Sequence, residues 1–403
     1  MVNEYVSQGG AFHVIDDSVE LLRALLESRG IKYNIENNIC TLSSKIVGII
    51  SLPDKRIVLT PRHEGITISH IIRMYFFVNN YLSGSNDIDD AYDISGSDKY
   101  LDISKVFLKE LTRVIKIGLP IDYSRVQEDS AYYKGRVNTI KTQQNILRKK
   151  LKPVATSYSV LSHEIDVNYI LSGALSKVRS RIPGSEINYY ESQLPYSNPE
   201  LAKILVDNCT LNRKYSYCRS AINYAIMILQ DYSYESFTGQ YQGEVFLVDY
   251  DNLFESFVWA VIRTFSNDHL YARWEKTQPY GEYVLGGKSH NKGYEPDILY
   301  GQIRQDPPKY KSVLDVKNKM PNIFSNADIY QMYFYITLLE AENGILIYPG
   351  SESMSQTSFS FYHALLKTLK VDAISLNITA KTAKGFHSDL KDFCGHLHTS
   401  IYS

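Results

Sequence analysis

The 403-residue chain has little cysteine, almost no net charge and no long apolar run, and each shortage removes a class of protein. Its four cysteines, Cys40, Cys209, Cys218 and Cys394, are too scattered for a disulfide framework and suit reduced thiols. With 43 basic residues against 44 acidic ones, no global field draws the chain onto nucleic acid, so any such contact must come from a local patch. No apolar stretch approaches the length that crosses a bilayer, which predicts no membrane contact. Met1-Val2-Asn3-Glu4-Tyr5 lacks a basic segment leading into an apolar one, so a cytoplasmic location is expected. Tyrosine is plentiful at 33 residues, which codon bias and half-buried packing explain better than base stacking.

Two chemistries are missing as well. Gly281 to Ser289 resembles a phosphate-binding loop, but one residue too many separates Gly281 from Gly287-Lys288-Ser289, and a strand follows where a helix N-terminus would be needed. No nucleotide is therefore expected to bind this chain. Cys394, His396 and His398 lack a second ligand pair at suitable spacing, so no zinc site is expected.

The length implies two domains. Ala11–Ile15 reads as a strand and Ser18–Leu26 as an amphipathic helix closed by Gly30; Ile39–Leu59 reads as strands broken at Pro53-Asp54-Lys55, a turn. Ile68–Val78 and Ile103–Ile117 read as helices around a polar loop, Ser83–Asp90. This first third holds no catalytic constellation and suits a module for binding another macromolecule. The basic run Arg148-Lys149-Lys150-Leu151-Lys152 suits phosphate, an acidic partner or a solvated helix face. Asp166 opens a helix through Val178, and the loop-like Ile182–Ser185 and Pro195–Pro199 place a boundary near residue 195. The expected division is 1–195, an α+β domain, and 196–403, a mixed α/β domain.

In the second part, Leu201–Val206 and Ser220–Leu229 read as helices and Val245–Asp249 as a strand. Asp251-Asn252 can cap the helix Leu253–Arg263. Strands follow at Tyr280–Leu285, Glu295–Tyr300 and Lys311–Lys317, with Gly286-Gly287 and Asp306-Pro307-Pro308 in the turns. Then come a helix after Ser325 and strands at Gly344–Pro349 and Val371–Leu376. Side chains i and i+2 of a strand share a face, so Asp315 and Lys317 point one way while Leu314 and Val316 point into a core. Asp297 on the neighbouring strand can join them. Two carboxylates suit a hard divalent cation, and an amine beside it can steady an attacking hydroxide or developing negative charge. An acidic-x-Lys triplet alone is cheap, and Asp389-Leu390-Lys391 is another, in a helix-like stretch where i and i+2 diverge. What distinguishes Asp315-Val316-Lys317 is its company. Asp328, Gln331 and Tyr335 fall on one face of the next helix, and Glu255 borders the apolar stripe of the helix before. Glu255 equally suits an exposed first-turn glutamate favoured by the helix dipole.

The set Leu253-Phe254-Glu255, Pro296-Asp297, Asp315-Val316-Lys317 and Asp328-Ile329-Tyr330-Gln331-Met332-Tyr333-Phe334-Tyr335 resembles the PD-(D/E)XK nuclease core. More narrowly, it is similar to the McrC subunits of McrBC-type restriction systems, and Gly135-Arg136-Val137-Asn138 and Asp166-x-Asn168 extend the likeness. It spans about residues 130 to 350, and residues 1–130 match only as an N-terminal module of suitable size.

The resemblance implies a C-terminal PD-(D/E)XK core, a mixed sheet flanked by helices. It also implies a DNA endonuclease subunit docked on a hexameric AAA+ GTPase, McrB, whose GTP hydrolysis it stimulates. Asp297 and Asp315 would bind Mg²⁺, or Mn²⁺ in its place, with Glu255 as auxiliary ligand. Lys317 would position the nucleophilic water and Gln331 would support the site. GTP would be bound by the partner, the substrate would be double-stranded DNA, and two copies would serve a double-strand cut. Dependence on methylcytosine does not follow from this chain. Two other readings are a non-cleaving regulatory scaffold of the motor and a stand-alone repair-type nuclease.

Overall fold

The computed structural model describes residues 2–79, 103–179, 182–207, 209, 213–230, 233–237, 241–266, 271–273, 278–285, 288–303, 309–319, 324–350, 356–361 and 369–402. The polar loop 83–90 and the turns at 286–287 and 306–308 lie outside these. The chain forms two compact units, one of residues 1–80 with 235–403, the other of residues 102–234.

The expected cut near residue 195 is not where the chain divides, and the N-terminal segment is not a domain apart. Strand Ile46–Ser51 pairs antiparallel with Tyr241–Asp249, matching Gly48 to Leu247, so the first fifty residues share a sheet with a strand some two hundred positions later. That five-stranded sheet runs Val2–Ser7, Lys55–Thr60, Ile46–Ser51, Tyr241–Asp249, Ser233–Phe237. Gly48 makes the pairing possible, because at φ +141° a Cβ would lie 1.9 Å from the Phe246 carbonyl oxygen. A small sheet of Ala11–His13, Tyr33–Glu36 and Ile39–Leu42 lies beside it, and helix Asp16–Ser28 sends Leu22 and Leu26 into their shared core with Phe12, Cys40 and Ile57. Helix Ile68–Asn79 buries Arg73, which donates to the carbonyls of Ile378 and Ala380 beneath the Phe386 ring.

The largest sheet of this unit among the described residues has six strands, in the order Tyr271–Arg273, Ile298–Ile303, Lys309–Val316, Asn343–Gly350, Leu369–Asn377, Gln356–Phe361. Lys309–Val316, Asn343–Gly350 and Leu369–Asn377 are parallel neighbours, and helix Asn326–Leu339 crosses between the first two. The Ile298–Ile303 and Lys309–Val316 pair is antiparallel, matching Ile298 to Leu314. Val313 packs with Met332, Tyr335 and Ile336 of the crossing helix, so Asp315, of the same parity, faces that helix as well. Helices Tyr250–Phe265 and Ala383–Tyr402 complete the unit.

The other unit carries a three-stranded sheet, Asp122–Ser130, Val154–Ser162 and Arg136–Val137, and helices including Ile103–Ile117, Thr139–Leu147, Asp166–Val178 and Arg219–Gln230. The segment 184–185, expected as loop, opens helix Gly184–Gln193. The basic run is solvated: Leu151, in its midst, is 98% exposed, and Lys150 pairs with Asp129 at 2.9 Å.

Candidate active site

Pro296 has no N–H to give a ladder, so the strand expected from Glu295 starts only at Ile298, and Asp297 sits in the bend just before it. The Ile298–Leu314 register sets Asp297 beside the end of the neighbouring strand, where the Val316 N–H donates to Asp297 Oδ2 at 2.6 Å. Lys317 lies just past strand Lys309–Val316, but its N–H still donates to the Ile347 carbonyl at 2.8 Å, which extends the ladder and keeps the alternation. Its ammonium therefore turns to the same side as Asp315 and meets Asp315 Oδ2 at 2.6 Å.

The crossing helix supplies the next contacts. Ser325 caps it, accepting from the Asp328 N–H at 3.3 Å. Gln331 Oε1 accepts from Lys317 Nζ at 2.9 Å, Gln331 Nε2 donates to the Tyr335 hydroxyl at 3.1 Å, and that hydroxyl donates to the Glu295 carbonyl at 3.2 Å. One chain of bonds thus ties both strands to the helix and fixes the lysine between an acid and an amide.

Burial and charge set the protonation states. Asp315 is 2% exposed, and burial raises its pKa, with Lys317 opposing and Asp328 adding to the rise. Asp297 is pushed up to about 7, first by burial, then by the Asp315 charge, with Glu255 contributing and the Val316 N–H and Lys317 opposing. Burial pulls Lys317 down, but Asp315 outweighs it, with Asp297 and Asp328 adding, so its pKa ends above the ordinary lysine value. Lys317 is accordingly an ammonium and not a free base. Of its three N–H donors, two are engaged by Asp315 and Gln331, which leaves one for an incoming oxygen.

The carboxylate pair fits a hard divalent cation. Asp297 Oδ2 accepts from the Val316 N–H, buried Asp315 Oδ2 meets Lys317 as an ion pair and has no hydrogen-bond partner among the described residues, and the negative charge of Asp297, Asp315 and Glu255 exceeds what Lys317 offsets. The expected three-ligand set is not gathered, however. Among the described residues no three acidic, histidine or cysteine side chains form a cluster that could hold a metal. Glu255, half-buried on helix Tyr250–Phe265, acts on Asp297 through its charge, and bringing a third carboxylate into contact would add repulsion that one lysine cannot neutralise. Mg²⁺ commonly takes one or two protein carboxylates and keeps waters and substrate oxygens, so the pair suffices for it. That helix is capped by Asp249, which accepts from the Asn252 N–H at 3.0 Å; the expected cap, Asp251, instead accepts from Asn318 at 2.8 Å and pairs with Lys45 at 3.4 Å.

Sequence reasoning missed Lys319. Its ammonium meets buried Asp328 at 2.5 Å, and its charge reaches Asp315. The alternation Asp315, Lys317, Lys319 carried the signal. The rejected phosphate loop is a β-hairpin, Gln278–Leu285 against Lys288–Tyr294. Cys394 is buried in the last helix, where its thiol contacts the Val261 carbonyl. Among the described residues no helix is long and apolar enough to cross a membrane.

No curated protein matches the chain. Among solved structures it is similar to a chain of the refined half-complex from the tetradecameric assembly of Thermococcus gammatolerans McrB AAA+ hexamers with bound McrC. The TM-score is 0.57 at 14% identity, covering 99% of this chain and 100% of that one. A chain of the Thermococcus gammatolerans McrBC complex matches at TM-score 0.39 and 13% identity, over 66% of this chain and 89% of that one. At such identities the first likeness is one of fold. A family model, the McrBC 5-methylcytosine restriction system component, matches residues 43–349, three quarters of the sequence, and the chain belongs to that family.

Proposed function

We propose that the chain is the DNA-cleaving subunit of a McrBC-type restriction system, an Mg²⁺-dependent endonuclease with a PD-(D/E)XK core that works with a McrB-like AAA+ GTPase. The observation that carries this reading is the convergence of Asp297, Asp315 and Lys317 at the adjoining ends of two paired strands, held by the Val316 N–H and Gln331. Family membership supports the restriction role, and the relative of similar fold was solved with McrB hexamers.

In this reading Asp297 and Asp315 hold Mg²⁺, with Mn²⁺ able to replace it, and Glu255 adds negative charge beside Asp297 without being a ligand. The bound ion would polarise a phosphoryl oxygen and acidify a water. Lys317, kept protonated by Asp315, directs its remaining N–H at the entering oxygen or the charge that develops on phosphorus, and Gln331 fixes its direction. GTP belongs to the partner, whose turnover this chain would stimulate. Double-stranded DNA is the substrate, and two copies would cut both strands.

The test is Asp315→Ala in the complete assembly with partner, GTP, Mg²⁺ and duplex DNA. Cutting should fall by at least about 100-fold, while melting temperature and co-elution with the partner persist. An unchanged rate of new DNA ends would reject the site.

A further inference from the structure

Directly before Asp297 stands an element that the chemistry above does not use. The hairpin Gln278–Leu285 and Lys288–Tyr294 forms a two-stranded sheet of its own, exposed at 279–285 and 288–293. Its base is anchored, because the Tyr280 ring packs against Phe334 at 4.9 Å and Tyr294 lies against Tyr335 at 6.4 Å, both on the helix that carries Gln331. Only Glu295-Pro296 separate its last residue from Asp297.

The two faces of this ribbon differ. Lys288, His290 and Lys292 alternate along one strand and so share a face, joined across the ladder by Leu285 and Tyr283, the partners of Lys288 and His290. Contacts agree with the register: Tyr283 stacks on His290 at 5.2 Å, and the Lys292 ammonium sits 5.5 Å from the Tyr283 ring centre. The acidic Glu282 lies on the other face, paired with Asn291 and accepting from Ser289 at 3.0 Å. A chain with a net charge of only −1 has thus segregated cations and an aromatic ring onto one side of an exposed ribbon. A two-stranded ribbon of this kind can follow a duplex groove and place lysines on phosphates.

We propose that this ribbon is a DNA-gripping arm whose Lys288, His290 and Lys292 face holds the duplex backbone next to the bond presented to Asp297 and Asp315. The inference rests on the nuclease reading for the identity of the DNA as substrate. The arm's part in this proposal is to grip phosphate, a contact that positions the duplex and carries no sequence information.

The experiment measures binding of a fluorescent duplex to the full chain by anisotropy over a salt series, with cleavage by the complete assembly in parallel. Lys288→Gln with Lys292→Gln should weaken binding about tenfold or more and reduce the slope of log affinity against log salt by about 2, since each released phosphate contact removes about 0.9. Lys288→Arg with Lys292→Arg should keep the slope. Lys292→Gln is matched to Val284→Asp, which makes the same unit change in charge from the opposite face. The first should lower the slope by about 1 and the second leave it unchanged. Equal effects of that matched pair, an unchanged slope in the double variant, or loss of partner co-elution with DNA binding intact would overturn the proposal. Failure of the arm with cutting still lost in Asp315→Ala would leave the nuclease reading standing. A lost slope beside an Asp315→Ala chain that cuts normally would reject the site and keep the arm.

Discussion

A lysine held between a buried carboxylate and an amide is a different reagent from one in water. Lys317 cannot rotate away from Asp315 and Gln331 without breaking an ion pair and a hydrogen bond, so its charge is fixed before any substrate arrives. Single histidines show the opposite use of burial. His70 Nδ1 accepts from the Thr67 N–H at 2.9 Å, and burial, then Arg73, push its pKa down to about 4 from 6.5, against a hydrogen bond with the Thr379 backbone. Between those values the unfolded chain carries a proton that the folded chain does not. The stability His70 contributes is therefore complete above about pH 6.5 and is lost as pH falls through about 4. A His70→Gln variant should show a smaller drop in urea midpoint between about pH 7 and pH 4.5 than the parent chain. An identical drop in both would remove His70 as the source. At this scale Asp297, Asp315, Lys317 and Gln331 were legible in the sequence, because strand alternation and helical spacing are local rules. The Asp328 partner of Lys319 was not, since that pair joins a segment beyond the strand to a helix that folds over it.

Among the elements, local periodicity marked most helices and strands, including Ile68–Asn79, Asp166–Val178 and Asn343–Gly350. What it could not give was partnership. Val2–Ser7 and Tyr241–Asp249 become strands of one sheet through neighbours distant in the chain, and no short window of sequence carries that pairing. Gly48 is where the pairing is most exposed to challenge. Gly48→Ala would drive a methyl into the Phe246 carbonyl and force a backbone angle that a side chain resists, so the five-stranded sheet should lose at least about 2 kcal/mol in denaturant unfolding. A loss under about 0.5 kcal/mol would show that the strands can separate there without cost.

For the whole molecule, the unit that holds the candidate site is built from both ends of the chain, with residues 102–234 inserted between them. A linear cut at residue 195 therefore removes strands Val2–Ser7, Ile46–Ser51 and Lys55–Thr60 and the Arg73 bonds from the remainder. A fragment of residues 196–403 should lack a cooperative unfolding transition, whereas a chain with residues 102–234 replaced by a short Gly-Ser linker should retain one, measured by circular dichroism in urea. Cooperative unfolding of the 196–403 fragment would contradict this. The composition of the loops near residue 195 misled because proline and glycine mark the ends of elements, here helices Gly184–Gln193 and Pro199–Val206, and not the ends of folding units.

Arg73 also fixes an order of events during synthesis. Its two acceptor carbonyls belong to Ile378 and Ala380, and the strand they follow, Leu369–Asn377, lies next to Asn343–Gly350, itself the neighbour of the strand bearing Asp315. On the ribosome, the 305 to 307 residues that separate Arg73 from its acceptors must emerge before this bolt can slide home, long after strands Asp122–Ser130 and Val154–Ser162 can have met. Copies that stop short of Ile378 therefore lack the bonds that tie helix Ile68–Asn79 to the segment after Leu369–Asn377.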